Sequence, residues 1–201
     1  MSETSLNETR ERYPRSVDLD GASVDLQLMT AADEQDVLAF AHALPPHDLL
    51  FLRRDITRPK VISAWIRQIE EGSITSLLAR REGQVVGCTA VVRDELSWSP
   101  HVGELRVLVA PGGRAKGLGR VLIQESFLIA LDQGLEKLIA QMTVDQQGAI
   151  AVFESLGFRA EALLRDHVRD GQGVKHDIAI LSHDVEQFQS QMQAYGVSDL
   201  F

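Results

Sequence analysis

Arg114, Lys116, Gly117, Gly119 and Arg120 lie within seven residues of the chain. An apolar run, Val107–Ala110, and the turn Pro111-Gly112-Gly113 precede them, and a mostly apolar, helix-like stretch follows. A helix starting here leaves its first backbone N–H groups without intrahelical partners, and its dipole adds partial positive charge at the same point. Glycine has no Cβ, so a bulky anion can approach the main chain closely. With three cationic side chains around one turn, the chemistry is that of a pyrophosphate cradle. Two familiar cradles do not fit. A dinucleotide fingerprint needs glycine or alanine three residues after Gly119, where this chain has Leu122. A P-loop needs lysine directly after its last glycine, but Leu118 follows Gly117.

Such a cradle needs a strand before it and a helix behind it, and the patterning supplies both. Ser23–Met29 alternates with period two, a first strand. Thr30 and Asp33 match a capping box that opens a helix reaching about Leu44, where Pro45-Pro46 stops it. Pro45–Pro59 reads as loop with room for a helical turn. A second helix follows from about Pro59 to Glu71, with Gly72 just past its end. Strands at about Ile74–Arg80 and Val85–Arg93 are joined by the Arg81–Gln84 turn. A fourth strand, about Gly103–Val109, feeds the cradle, and the helix behind it runs from Gly117 to about Gln133. Leu138–Thr143 is a fifth strand. Ala149, Ile150, Phe153 and Leu156 then mark one helical face that Gly157 ends. Arg159–Arg169 and Val174–Ser182 flank Asp170–Gly173 as a hairpin. Residues 1–22, without periodicity, read as a flexible N-terminal tail, and Asp184 to Tyr195 as a terminal helix within residues 184–201. The central segment, 23–183, is therefore a mixed α/β domain with helices on the faces of one sheet.

Composition narrows the function. At 201 residues and 44% hydrophobic, the chain builds one sizeable core. A formal charge of −9 argues against non-specific nucleic-acid binding and against an anionic membrane surface. The single cysteine, Cys88, sits in the apolar run Val85–Val92, which excludes an intrachain disulfide and a CxxC metal site and suits a buried thiol. No apolar run approaches a membrane span and the first residues lack a secretory core, so a soluble, cytoplasmic protein is expected.

The segment Val107–Leu122 resembles the acyl-CoA signature of the GNAT superfamily of N-acyltransferases, Val-x-Pro-x-x-Arg-Gly-x-Gly-x-Gly. Ala115 stands in place of its first glycine. A second stretch, Asp145–Phe158, resembles that family's Asn-x-x-Ala-x-x-x-Tyr-x-x-x-Gly-Phe pattern at Ala149, Gly157 and Phe158. The element order over residues 23–183 is also the family's. The resemblance implies a mixed sheet of about seven strands, splayed between the fourth and fifth, with the pantetheine arm of acetyl-CoA in the gap. Backbone groups of Val107, Leu108 and Val109 would pair with its amides. The N–H groups of Arg114, Ala115, Lys116, Gly117, Leu118, Gly119 and Arg120 would hold its pyrophosphate, with Gln146 in the place of the family's asparagine.

The reaction the resemblance implies is N-acetyl transfer by direct attack of a primary amine in a ternary complex, with acetyl-CoA as cosubstrate and no metal. The acceptor would be an amine-bearing small molecule or a protein amine. The family also allows a homodimer, although no apolar stripe picks out an interface. Glu104 is the candidate base, since relatives carry an acidic residue on this strand. The tyrosine that commonly protonates the leaving thiolate is Phe153 here, which has no proton to give. That substitution keeps a second reading open, a non-catalytic acyl-CoA-binding sensor or regulatory module. Elsewhere, a four-residue hairpin loop would set His167 opposite His176 and Asp166 opposite Asp177. Those pairs point to opposite faces of the ribbon, with no third ligand nearby, so no metal site is assigned. His42 and His47, flanking Pro45-Pro46, read as surface residues.

Overall fold

The computed structural model describes residues 9–185. The elements run β1 (Arg15–Leu19), β2 (Ala22–Leu28), α1 (Glu34–Ala43), α2 (Pro59–Glu70), β3 (Ile74–Arg81), β4 (Gln84–Val92), β5 (Val102–Val109), α3 (Leu118–Asp132), β6 (Lys137–Thr143), α4 (Gln147–Ser155), β7 (Arg159–Arg169) and β8 (Lys175–Asp184). The strands form one sheet in the order β1-β2-β3-β4-β5-β6-β8-β7. Every pair is antiparallel except β5 with β6. The expected fourth and fifth strands are thus β5 and β6.

Strand alternation divides the core into two layers. Leu77 and Leu78 are neighbours on β3 and both fully buried, yet they belong to separate clusters. Leu77 packs with Leu105, Leu122, Phe127, Leu138 and Phe158, under α3 and α4. Leu78 packs with Val37, Phe40, Ile62, Ile66, Cys88 and Leu108, under α1 and α2. Burial pushes the Cys88 thiol up to about 12, so it packs as a small hydrophobe. Asp33 fixes the start of α1. It accepts from the Thr30 N–H at 2.8 Å and pairs with Arg80 of β3 at 2.7 Å.

Residues 15–22 are not a tail. Arg15–Leu19 pairs with β2, from Arg15↔Leu26 to Leu19↔Ala22, which makes the sheet eight-stranded. The hairpin turns at Asp20 and Gly21, both with positive φ (55° and 75°), as an Asp-Gly hairpin requires. Just before it, the buried Tyr13 hydroxyl donates to Glu125 of α3 at 2.6 Å. Burial first, and then Glu125, push the Tyr13 phenol far above its ordinary range. Arg15 also pairs with Glu125, and Arg12 pairs with Asp132 at 3.0 Å. These anchors join residues more than a hundred positions apart, so local pattern could not show them, although the Asp20-Gly21 pair was a local signal for the turn.

The terminal helix expected from Asp184 lies outside the described residues beyond Val185, as does Tyr195; Asp184 itself closes β8. The last hairpin also differs from the expectation. Its register shifts between Leu164 and Val168, with Asp166 at φ 52°, so Val168 rather than His167 faces His176. Among the described residues no helix is long and apolar enough to cross a membrane.

Candidate active site

The sheet opens at its middle. β5 and β6 pair only from Val102↔Lys137 to Leu105↔Ala140. β4 nevertheless stays on β5 as far as Gly87↔Val109, and β8 stays on β6 as far as Thr143↔Ile178. The outer strands hold two lips that part beyond Leu105, leaving a wedge. The Ala110 N–H donates to the Val86 carbonyl of β4 at 2.9 Å. By antiparallel alternation Leu108 also turns its N–H and C=O toward β4, whereas those of Val107 and Val109 face the wedge. Leu108 therefore departs from the expected trio: its side chain borders the wedge while its backbone is committed to the sheet. A cleft of about 830 Å³ fills the wedge, with Leu105, Ile123, Met142 and Phe153 on its walls.

The cradle closes one end of this cleft. Gly117 caps α3 at φ +81°, and Ala115 lies in the left-handed region at φ 59°, so the chain folds sharply before the helix. The Val121 N–H reaches the Gly117 carbonyl at 3.1 Å, which leaves the N–H groups of Leu118, Gly119 and Arg120 at the open end of the helix. A Cβ at Gly119 would meet nothing nearer than Val109 Cγ2 at 3.9 Å. Packing thus gives no reason for glycine there; room for a ligand does.

Val107, Leu108, Val109, Arg114, Ala115, Gly117, Gly119, Arg120 and Gln146 all line the cleft. Lys116 is exposed outside the lining, and the Leu118 side chain is buried in the core, so only its N–H stands at the helix end. Arg120 donates to Ser155 of α4 at 2.7 Å. Arg114 folds back: its Nε and Nη2 both donate to the Val109 carbonyl at 3.2 Å, and Nη2 pairs with Asp48. On the other lip, the Gln146 N–H donates to the Thr143 carbonyl at 3.0 Å, and Gln146 occupies the N-cap position of α4. Phe153 is buried edge-on against Phe158, with centroids 4.8 Å apart.

Glu104 is not in this cleft. It belongs to a second cavity, of about 800 Å³, on the α1/α2 face, and Leu108 lines both. Glu104 is buried, and its neighbour on the same strand face, Arg106, clamps it with two bonds (Nε–Oε1 2.8 Å, Nη2–Oε2 3.1 Å). Arg53 approaches Oε2 at 3.6 Å. Trp65 and Ile56 form part of the wall, and Trp65 Nε1 donates to the Ser76 hydroxyl at 2.9 Å. A carboxylate has about four lone-pair positions, so a clamped Glu104 still has capacity for a water or an amine.

Several residues here carried no assigned role in the sequence. Arg106 was legible in principle, because residues two apart on a strand share a face. His47 is not a plain surface residue. Its Nε2 lies 2.8 Å from Asp145 and 3.3 Å from Thr143 Oγ1, on the β6 lip. Burial works to raise the Asp145 carboxyl, but the bonds from Thr143 and His47 outweigh it and hold the group below its ordinary value. Because Asp48 pairs with Arg114, the short 3₁₀ turn Pro46–Leu49 touches both lips of the wedge.

The profile of the acetyltransferase (GNAT) family matches residues 46–158. The chain is 33% identical over 94 residues to a protein named IAA acetyltransferase of Azospirillum brasilense, a stretch covering 46% of this chain and 60% of that one. Among solved structures, it resembles a ribosomal-protein-alanine N-acetyltransferase of Brucella melitensis at 25% identity and TM-score 0.69, over 79% of this chain and 98% of the other. A Salmonella typhimurium structure that includes its cofactor acetyl-CoA superposes with TM-score 0.64 at 20% identity, over 80% of this chain and 94% of that one.

Proposed function

The chain belongs to the acetyltransferase (GNAT) family, and from that premise we propose that it transfers the acetyl group of acetyl-CoA to a primary amine in a ternary complex. The observation that carries this reading is the wedge with a glycine cradle at its end, because one cleft then offers both strand groups that β6 leaves without a ladder partner and helix-end N–H groups. The residues fit the cosubstrate. The space at Gly119 accommodates a bulky anion against the main chain. Val107 and Val109 present alternating donors and acceptors suited to pantetheine amides. Ala115, Lys116, Gly117, Leu118, Gly119 and Arg120 would hold the pyrophosphate by N–H groups and charge, and Gln146 would contribute from the β6 lip. When bound, acetyl-CoA supplies an activated thioester.

The remaining chemistry belongs to the chain. The acceptor amine must be neutral to attack, and Glu104 in the adjoining cavity is the group to take its proton, through water or directly. Arg106 holds that carboxylate in one orientation, acting as a positioning residue. Phe153 supplies no proton, so the departing thiolate takes its proton from water or from the amine. Arg114 serves the cradle only after leaving Asp48 and the Val109 carbonyl.

A second reading, a non-catalytic acyl-CoA-binding module, is favoured by Phe153 and by the clamp on Glu104. One experiment separates them. Calorimetric titration with acetyl-CoA should show saturable binding that an Arg114→Ala, Gly119→Glu double variant loses. Thiol release with a panel of primary amines then supports the transferase, whereas binding with no release across the panel supports the module. No binding by the wild-type protein would overturn both.

A further inference from the structure

We propose that His47, Asp145 and His176 form a binding site for a divalent transition-metal ion of the zinc class at the mouth of the wedge. The three residues come from separate segments: the 3₁₀ turn after α1, the loop between β6 and α4, and the start of β8. One ring nitrogen from each histidine and one carboxylate oxygen all lie within 4.8 Å of one another. The two imidazoles meet edge to face, with centroids 5.0 Å apart, and His47 Nε2 already lies 2.8 Å from Asp145.

The surroundings are those of a ligand set. His176 Nε2 is 3.1 Å from Asp170 Oδ2, an outer carboxylate that fixes the orientation of the ring. Thr143 Oγ1 lies 3.3 Å from His47 Nε2, a second polar group beside the cluster. Two imidazoles and one carboxylate suit zinc and its neighbours, and disfavour magnesium and calcium, which take mostly oxygen. Zinc ligands at bonds of roughly 2.0–2.1 Å stand about 3.3 Å apart in a tetrahedron, so the widest separation would close by at most about 1.5 Å while the 2.8 Å His47–Asp145 pair would open by about 0.5 Å. Asp145 and His47 have the freedom for that, with side chains 55% and 36% exposed. The fourth position stays open for water or a ligand group in the cleft. An ion there ties the Pro46–Leu49 turn to the β6 lip, while its neighbour Asp48 holds the turn to Arg114 on the other.

This site was hidden from the sequence because positions 47, 145 and 176 have no ligand spacing. It also stands apart from the acetyltransferase reading, since its test measures the metal alone. Protein stripped with a chelator and dialysed is titrated with Co²⁺ by absorbance and with Zn²⁺ by calorimetry. The expected result is one equivalent of each and a four-coordinate cobalt spectrum. His47→Ala and His176→Ala each abolish that spectrum, and Asp170→Asn weakens Zn²⁺ binding about 10- to 100-fold. His176→Gln, at the exposed hairpin, keeps the test open should His47→Ala not fold, and thermal melts in chelator check both. Absence of stoichiometric binding, or binding that survives His176→Ala and His176→Gln, overturns the proposal.

Discussion

The two cavities that meet at Leu108 are made of different material. The wedge is a main-chain site: strand groups of Val107 and Val109, helix-end N–H groups at Leu118–Arg120, and a glycine whose missing side chain leaves room. The cavity across Leu108 is a side-chain site, with Glu104 clamped by Arg106, Arg53 above it and Trp65 on the wall. Main-chain sites serve a ligand whose shape does not change, because the backbone cannot be altered without changing the fold. Side-chain sites can be altered one residue at a time. The proposed function, with one constant cosubstrate and an acceptor of its own, would call for that division.

The sharpest way to break the contrast is Gly119→Glu. It puts a carboxylate where the proposed cradle would meet a pyrophosphate, and acetyl-CoA affinity should fall about 1000-fold, roughly 4 kcal/mol. The helical backbone and the 3.9 Å of clearance mean the melting temperature should hardly move. Retained binding, measured by calorimetry, would remove the cradle from the cofactor site. On the other side of Leu108, Glu104→Gln should lower kcat about 100-fold and leave the acetyl-CoA Kd unchanged. An unaltered pH–rate profile in that variant would show that Glu104 is not the base.

The same contrast explains what could be read in advance. Arg114, Gly117, Gly119 and Arg120 betray the cradle because glycines at fixed spacing shape main chain locally. Gly157 is legible for a similar reason: at φ +94°, an added Cβ would stand 2.5 Å from His183 Nε2. The strands and helices from Ser23 to Ser182 followed from alternation and breakers. What stayed hidden depends on contacts between distant segments. β1 is held by Tyr13 and Arg15 on Glu125, the Pro46–Leu49 turn by Asp48 on Arg114, and the His47 cluster by three separate elements. Leu108 stands apart from Val107 and Val109 for a smaller reason: pattern located the strand but did not say which backbone groups face β4.

Smaller perturbations sharpen the picture. Arg114 now spends its guanidinium on Asp48 and on the Val109 carbonyl that faces the wedge. Asp48→Ala should free it and tighten acetyl-CoA binding about fivefold, close to 1 kcal/mol. Weaker binding instead would mean that the pair belongs to the loaded state. Behind the cleft, His183 is wedged between Phe127 and Phe158, with centroid distances of 5.0 and 5.4 Å. Burial, outweighing its backbone hydrogen bonds, holds the imidazole below its ordinary value of 6.5. The unfolded chain therefore binds the proton more readily, so this contribution is complete above 6.5 and is lost as pH falls toward the folded value. Wild-type melting temperature should drop more steeply between about pH 7 and pH 5 than that of His183→Gln. Parallel curves would remove His183 as the cause.

The finest test concerns Ala115, the alanine at a position the family pattern gives to glycine. An L-residue in the left-handed region costs roughly 1–2 kcal/mol, and Ala115 sits there at φ 59°. Glycine removes that strain but gains freedom in the unfolded chain, an opposing term of roughly 0.5–1 kcal/mol. The balance favours Ala115→Gly by about 0.5 kcal/mol, visible as a small rise in melting temperature. Acetyl-CoA affinity should not change, because the N–H group stays where it is. Gly117→Ala, at φ +81°, runs the other way and should cost about 1 kcal/mol. If instead Ala115→Gly weakened cofactor binding, the methyl group would itself be part of the cradle, and the wedge would no longer be a purely main-chain site.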